Sequence, residues 1–222
     1  MHICSTDIDN LDKLTRVNLI NSLSGFKSAN LIGTADKRGQ ENLSIVSSVF
    51  HIGANPPLIG MIIRPHSVPR HTLENIIETG VYTINHVHNE IIEQAHQTSA
   101  RYDKHISEFD AVGLQAQYKG SCKAPFVLQS KLKIAVKLMS TQTIELNQTE
   151  LVIGQITDIY LEDDLAYCDD GFVDLERLNT VTLSGLDRYH STSALARLSY
   201  AKCDKPLSHV AVSPKLKAQK EP

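Results

Sequence analysis

The positions of apolar residues along the chain predict a fold made mostly of strands. Residues 29–35 have the pattern of a buried strand, and residues 131–138 alternate between apolar and basic side chains, which is typical of a strand with one buried face. A turn at residues 36–39 joins the first of these strands to a second one, predicted over residues 41–51. Further strands are predicted at residues 58–63, 81–85 and 150–161, with Gly154 as a bulge in the last of them.

Helices are predicted where apolar residues recur at helical spacing. The first covers residues 7–24, the second begins at Thr72 and ends at Gly80, and the third covers residues 90–97. Residues 98–110 are polar and predict a surface loop.

Strands outnumber helices and do not alternate with them throughout the chain. This favours a mostly β fold, an antiparallel, Greek-key-like barrel with accessory helices, over a doubly wound α/β fold. We expect a single domain over residues 1–212, followed by a mobile tail over residues 213–222.

Composition and charge exclude several classes of protein. The chain has 222 residues, of which 41% are hydrophobic and 21% charged, as in ordinary globular domains, and its net charge of −3 does not suit general nucleic-acid binding. Four widely spaced cysteines without a CxxC pair indicate reduced thiols in a cytoplasmic protein. No apolar stretch is long enough to cross a membrane. The ten histidines form no metal-ligand motif, so we expect no metal site.

The predicted strand at residues 41–51 is unusually rich in small polar side chains. In one continuous strand, Asn42, Ser44, Ser48 and Phe50 would share a face, and residues 43, 45, 47 and 49 would share the other. Three serines suit simple sheet packing poorly, but they allow a flat heterocycle to approach the backbone and offer hydrogen bonds to its edge. The alternative is a half-exposed strand whose polar face meets water.

The segment before the second helix could bind a phosphate. Thr72 occupies the expected N-cap position, and a helix N-terminus presents free N–H groups to an anion. Arg64 and Arg70 precede it and could add charge-assisted hydrogen bonds. The alternative is an ordinary cap in which Asn75 completes a capping box. A mononucleotide could place its ring on the serine-rich strand and its phosphate here.

These segments resemble the flavin reductase-like family of FMN-binding split barrels, over about residues 16–197. The most specific similarity is the run from Thr72 to Asn85, which is similar to the family pattern T-x-x-N-I-x-x-T-G-x-F-x-x-N. A hairpin pattern T-x-x-x-x-G-x-x-N ending at Asn42 is also shared. Residues 183–189 resemble a closing R-x-G-G-x-x-Y element but lack its arginine and first glycine.

The resemblance implies a homodimer with FMN near the subunit interface. It implies that the phosphate is held by Arg64, Thr72 and Asn75, with Arg70 as a further contact. The residues implied to line the isoalloxazine are Asn42, Ser44, Ser47, Ser48, Val49 and Phe50.

The leading functional hypothesis is an NAD(P)H-dependent FMN reductase, in which the nicotinamide nucleotide is a transient co-substrate. The cofactor carries the chemistry, so no catalytic side chain is assigned. The alternatives are a flavoredoxin-like electron carrier with bound FMN, an oxidase or oxygenase of a small substrate, and an interaction module without flavin.

Overall fold

Residues 1–215, the part of the chain that the computed structural model describes, form twelve strands and five α-helices. The strands are β1 (Lys27–Ser28), β2 (Asn30–Ala35), β3 (Glu41–Val46), β4 (Val49–Ala54), β5 (Pro57–Ile63), β6 (Val81–His86), β7 (Ala116–Gln117), β8 (Phe126–Val127), β9 (Leu132–Ile144), β10 (Thr149–Leu161), β11 (Thr182–Ser184) and β12 (Arg188–His190).

The helices lie before the first strand and between later ones. The α-helices are α1 (Ser5–Asn10), α2 (Lys13–Leu23), α3 (His71–Thr79), α4 (Ile92–Gln97) and α5 (Glu108–Val112). Two short 3-10 helices cover Asn89–Ile91 and Asp164–Ala166. The prediction of a mostly β, antiparallel fold with accessory helices is confirmed.

Seven strands form one antiparallel sheet in the order β3-β2-β6-β9-β10-β5-β4. Its two edge strands, β3 and β4, are consecutive in the chain and are separated only by Ser47 and Ser48. Because two residues cannot span a flat seven-stranded sheet, the sheet curls and closes on itself as a barrel. Two smaller sheets, β1-β11-β12 and β7-β8, lie beside it.

The alternation of side chains along the strands supplies two hydrophobic cores. Ile32, Tyr82, Ile84 and Val136 fill the barrel interior together with Ile76 of α3. On the outer side of the same strands, a second core includes Leu31, Leu43, Val87, Phe109 and Val127. Neighbouring residues such as Leu31 and Ile32 therefore enter different cores, because successive side chains of a strand point to opposite faces.

Three predicted elements differ from the observed ones. The strand expected over residues 41–51 bends at Ser47 and Ser48 and becomes two strands. The helix expected over residues 7–24 is interrupted, because the Asp12 carboxylate caps α2 by accepting from the N–H groups of Leu14 and Thr15. The loop expected over residues 98–110 contains the start of α5.

Lys133 is buried although the alternating pattern put it on a polar face. Its side chain has no exposed area, and its Nζ lies 2.5 Å from Glu162 Oε1 and 3.4 Å from Gln117 Oε1. A buried ammonium group is tolerated when it is paired and hydrogen-bonded. The outer face of β9 is therefore covered at this point by the β7-β8 hairpin.

The predicted tail begins at residue 213, and two of its first three residues hydrogen-bond to the segment at 167–169. Asp169 N donates to Ser213 O at 3.2 Å, and Lys215 N donates to Tyr167 O at 2.7 Å. The rest of the predicted tail, residues 216–222, lies outside the described residues.

The bulge predicted at Gly154 lies on the opposite strand: the pairing of β10 with β9 shifts register between Ile153 and Gly154, but the extra residue there is Met139 of β9. A Cβ added at Gly154 would collide with Val136 Cγ1 and the Tyr82 hydroxyl in the barrel interior. We expect Gly154→Ala to lower the free energy of unfolding by about 1–3 kcal/mol through overpacking, measured by urea denaturation.

Gly53→Ala is the matched control, because a Cβ at this other strand glycine would meet only Pro56 O at 3.5 Å, an ordinary contact. A loss of stability at Gly53 equal to that at Gly154 would show that strand glycines in general, and not this close approach, are responsible.

Candidate functional site

Thr72 joins the edge strand β3 to helix α3 through its hydroxyl group. The Asn42 Nδ2 donates to Thr72 Oγ1 at 2.9 Å, and the Ser44 Oγ lies 3.0 Å from the same oxygen. Asn42 and Thr72 are buried. The polar face of β3 is therefore turned toward α3 and forms a hydrogen-bonded junction, which we call the Thr72 node (Asn42, Ser44, Thr72 and Asn75).

Asn75 completes this node with one unsatisfied atom. Its Nδ2 donates to Thr34 Oγ1 at 3.2 Å, whereas its Oδ1 is buried and has no partner among the described residues. Leaving a buried acceptor unpaired costs about 1–3 kcal/mol. A ligand hydroxyl at this position would remove the cost, so the node fits a group with hydroxyl donors.

The bend between β3 and β4 separates residues that the sequence pattern had grouped together. Asn42 and Ser44 face the barrel interior and α3, but Phe50 pairs with Gly60 on the outer face and is 41% exposed. Val49 packs against the barrel core, not with Leu43. The predicted division into two faces is wrong here because it assumed one continuous strand.

The bend itself is held by side-chain hydrogen bonds. Ser48 Oγ donates to Ile62 O at 2.7 Å, which fixes this residue against β5. Ser47 is half-buried beside it. The backbone thus leaves the ladder at two of the three serines beside which the sequence predicts a flat ring, and that prediction stays untested.

Helix α3 is capped two residues earlier than predicted. Its N-cap is Arg70, without a side-chain cap, and Thr72 is the second helical residue. Thr72 is thus not the cap, and Asn75 does not form a capping box, because both side chains are engaged in the node. The first N–H groups of α3 remain available to an anion.

Three arginines surround this helix start. The Arg70 guanidinium donates from Nε to Pro65 O at 3.2 Å. Its pKa is lowered, first by burial and then by the positive charges of Arg64 and Arg101. Like charges placed together in this way indicate a site for an anion.

Arg101 was not found by sequence reasoning, because it lies in the loop after α4. That loop is tied to α3 through Glu74, whose carboxylate lies 3.5 Å from Lys104 Nζ and 3.0 Å from His66 Nε2. The loop alternates Arg101, Asp103 and Lys104, which gives no clear signal in the sequence, and only the fold brings the Arg101 charge close enough to lower the pKa of Arg70.

The free edge of β3 is covered by side chains. Leu43 N donates to Glu108 Oε2 and Ile45 N donates to Thr98 Oγ1, each at 2.9 Å. These contacts satisfy edge N–H groups that would otherwise be open to another strand. Neither Glu108 nor Thr98 was predicted from the sequence as part of this site.

Other classes of site find no support among residues 1–215. The His, Cys, Asp and Glu side chains described there form no group of three that could hold a metal ion. In the same range, no helix has the length and apolar character required to span a membrane.

Comparison with known proteins gives the class of this one. Residues 23–176 match the flavin reductase like domain, so the chain belongs to that family, and the fold is a split barrel. The resemblance noted in the sequence is thus confirmed.

Three solved structures illustrate the similarity. A protein with a split barrel domain from Shewanella frigidimarina NCIMB 400, whose proposed activity is that of a flavin reductase, is 60% identical, with a TM-score of 0.88 over 90% of this chain and 100% of that chain. The 2-nitrobenzoate 2-nitroreductase NbaA of Pseudomonas fluorescens is 23% identical, with a TM-score of 0.77 over 93% and 98% of the two chains. Flavoredoxin of Desulfovibrio vulgaris (Miyazaki F) is 22% identical, with a TM-score of 0.67 over 81% and 92%. The last two support the fold alone.

The buried carboxyl group of Glu108 leads to a prediction about pH. Burial raises its pKa above the ordinary value of 4.5, and the bond from Leu43 N only partly offsets this. A raised pKa in the folded state means that ionisation opposes folding, so this residue's contribution to stability falls as the pH rises through that value. We expect Glu108→Gln, which retains the acceptor for Leu43 N, to gain stability relative to the wild type between pH 4 and pH 7, measured by urea denaturation.

The control is Glu145→Gln, which changes an exposed carboxyl group in the β9-β10 turn. A Glu108→Gln variant that loses stability relative to the wild type on going from pH 4 to pH 7 would contradict the prediction.

Proposed function

We propose that this member of the flavin reductase-like family binds FMN and reduces it with NADH or NADPH. The observation that carries the proposal is the unpaired, buried Asn75 Oδ1 in a polar node beside three clustered arginines. A ribityl phosphate has both the hydroxyl donors that this oxygen lacks and the negative charge that the arginines need. Both features occur at the start of α3.

The phosphate is proposed to lie at the N-terminus of α3. Arg64 and Arg70 would supply charge-assisted hydrogen bonds, and Arg101 is added to them from the structure. Thr72 and Asn75 would contact the phosphate and the ribityl chain, together with Asn42 and Ser44, which share their hydrogen bonds.

The isoalloxazine is proposed to lie along the bend, against Ser47, Ser48, Val49 and Phe50. The backbone of this short connection leaves the sheet, and Phe50 exposes an apolar ring edge to the outside. The Ser47 hydroxyl would suit a carbonyl of the flavin, and the Ser48 oxygen, whose hydrogen is donated to Ile62 O, would accept from the imide N–H.

When bound, FMN would accept a hydride and a proton, which reduces it by two electrons while the dihydronicotinamide is oxidised to the nicotinamide cation. The protein's part in this reaction is to bind and orient the two nucleotides. None of the proposed site residues has to gain or lose a proton, which is why no catalytic side chain is assigned.

We also propose that the protein is a homodimer and that helix α2 contributes to the interface. None of the residues of α2 is buried, and Leu14 and Leu23 are about two-thirds exposed, at 70% and 69%. Phe26, just after the helix, is exposed to a similar extent. A helix with so much exposed apolar surface is explained most simply by a second copy of the chain packed against it.

A visible spectrum of the purified protein with added FMN, recorded before and after addition of NADH or NADPH, tests the reductase proposal. We expect a bound flavin spectrum that is bleached by one of the nucleotides. A protein that binds no FMN would be an interaction module without flavin. Tightly bound FMN that neither nucleotide reduces would instead favour the electron carrier or an oxidase.

Arg64→Ala tests the phosphate site. We expect FMN binding to weaken by about 1–3 kcal/mol, the range for loss of a charged hydrogen bond, measured by quenching of flavin fluorescence. Arg177→Ala is the control, since this arginine pairs with Asp163 in another part of the chain. Equal FMN affinity of the wild type and Arg64→Ala would remove Arg64 from the site.

Leu14→Glu combined with Leu23→Glu tests the dimer. We expect the wild type to sediment with twice the chain mass and the double variant to sediment as a monomer, because charges are costly in an apolar interface. Thr15→Glu, an exposed position of the same helix, is the control and should remain dimeric. A double variant with the wild-type mass would exclude α2 from the interface.

A further inference from the structure

A second cluster of polar side chains lies at the other end of β2 from the Thr72 node. Asn30 is opposite His86 on the neighbouring strand β6, and Ser28 is opposite Thr182 on β11. Asn30 Nδ2 donates to Ser28 Oγ at 2.9 Å, which joins the two pairs. We call these four residues the Asn30 cluster.

The cluster contains three buried polar atoms without a partner: Asn30 Oδ1, His86 Nδ1 and Thr182 Oγ1. Among residues 1–215 only six side-chain atoms are in this condition, so half of them occur in one place. Buried polar groups in folded proteins are nearly always hydrogen-bonded, and each exception costs about 1–3 kcal/mol. Such a concentration calls for partners that the described chain does not supply, either internal water or a ligand with several hydrogen-bonding groups.

The hydrogen bonds within the cluster define what the ligand must offer. The Ser28 hydroxyl donates to Val49 O at 3.4 Å and accepts from Asn30 Nδ2, so the Asn30 amide is oriented with its Oδ1 free. That oxygen can only accept, and it requires a donor.

The other two groups can supply hydrogens. The Thr182 hydroxyl can donate, and His86 can donate from Nδ1 as a neutral imidazole, since burial lowers its pKa to about 4. A primary carboxamide has both N–H donors and a carbonyl acceptor within one small group. It therefore matches the unpaired atoms of the cluster better than a carboxylate, which has no donor.

The position of the cluster relates it to the proposed flavin site. The bond from Ser28 to Val49 O puts it next to the bend between β3 and β4, where the isoalloxazine is proposed to lie. Ser28, His86 and Thr182 are each half-buried, so the cluster adjoins the surface even though its unpaired atoms are covered. A group stacked on the ring would reach these atoms only once the side chains that cover them move aside.

We propose that the Asn30 cluster binds the carboxamide of the nicotinamide nucleotide. Asn30 Oδ1 accepts from the carboxamide NH₂ group, and Thr182 and His86 donate to its carbonyl oxygen. This inference rests on the proposed reductase function, to which it adds a subsite for the hydride donor.

Two variants and an altered substrate test the subsite. Thr182→Val removes an unpaired hydroxyl at nearly constant volume, and Asn30→Ala removes the acceptor. We expect each to raise the half-saturating concentration of NADH or NADPH for flavin reduction about tenfold, as loss of a buried hydrogen bond predicts, without changing the affinity for FMN. Ser184→Ala is the control, because the Ser184 hydroxyl lies on the same hairpin but is paired with His190 Nε2 at 2.7 Å.

The acetylpyridine analogue of the same nucleotide, which keeps the carbonyl but lacks the NH₂ donors, separates binding from folding. We expect the wild type and Thr182→Val to prefer the carboxamide form, and Asn30→Ala to lose that preference. A purely structural role for Asn30 would leave the preference unchanged. If Asn30→Ala does not fold, the comparison of Thr182→Val with Ser184→Ala remains.

The outcomes distinguish this inference from the proposed function. Suppose that the nucleotide reduces the FMN of the wild type and that both variants keep the wild-type half-saturating concentration. The cluster then holds internal water only, and this result would overturn the subsite but not the reductase function. A wild-type protein that binds FMN but is reduced by neither nucleotide would overturn the reductase function and the subsite together.

Discussion

The short connection between the two edge strands of the large sheet is the constraint on which the rest of the structure depends. β3 and β4 lie at opposite ends of the strand order, yet only Ser47 and Ser48 separate them in the chain. The sheet must therefore close, and the connection is fixed by the bond from Ser48 Oγ to Ile62 O. The backbone leaves the hydrogen-bonded ladder at this junction, and this is where the ring of the flavin is proposed to lie.

Buried polar side chains lie on both sides of this junction. The Thr72 node connects the start of β3 to α3, and the Asn30 cluster lies beside the end of β3. A barrel filled only with apolar side chains would avoid the cost of their unpaired atoms. Under the proposed function, a phosphorylated ribityl chain would pair the free atom of the node, and under the further proposal a carboxamide would pair those of the cluster. The two nucleotides of a flavin reductase would then meet over the bend.

Several features of the fold were predictable because they depend on local patterns. The alternation of Leu132, Ile134 and Val136 identified a barrel strand, and the run from Thr72 to Asn85 identified the helix-strand unit with its family pattern. The candidate residues Arg64, Arg70 and Asn75 also came from the sequence, and the structure brings them to one helix start. The cap that Asp12 forms at the start of α2 was missed, although an aspartate before a helix is a common N-cap.

The sequence by itself determined the longer strands, helix α3, the apolar residues available to the cores, and which residue types are available to a nucleotide. Periodicity and turn chemistry are properties of neighbouring residues, so they can be read along the chain. Only the tertiary structure decided that β3 and β4 separate at a bend, that Thr72 is a junction and not a cap, and that Arg101 and Glu108 reach the site. These outcomes depend on contacts between residues distant in sequence, such as Leu43 with Glu108 and Asn42 with Thr72, which become favourable only once the barrel has closed.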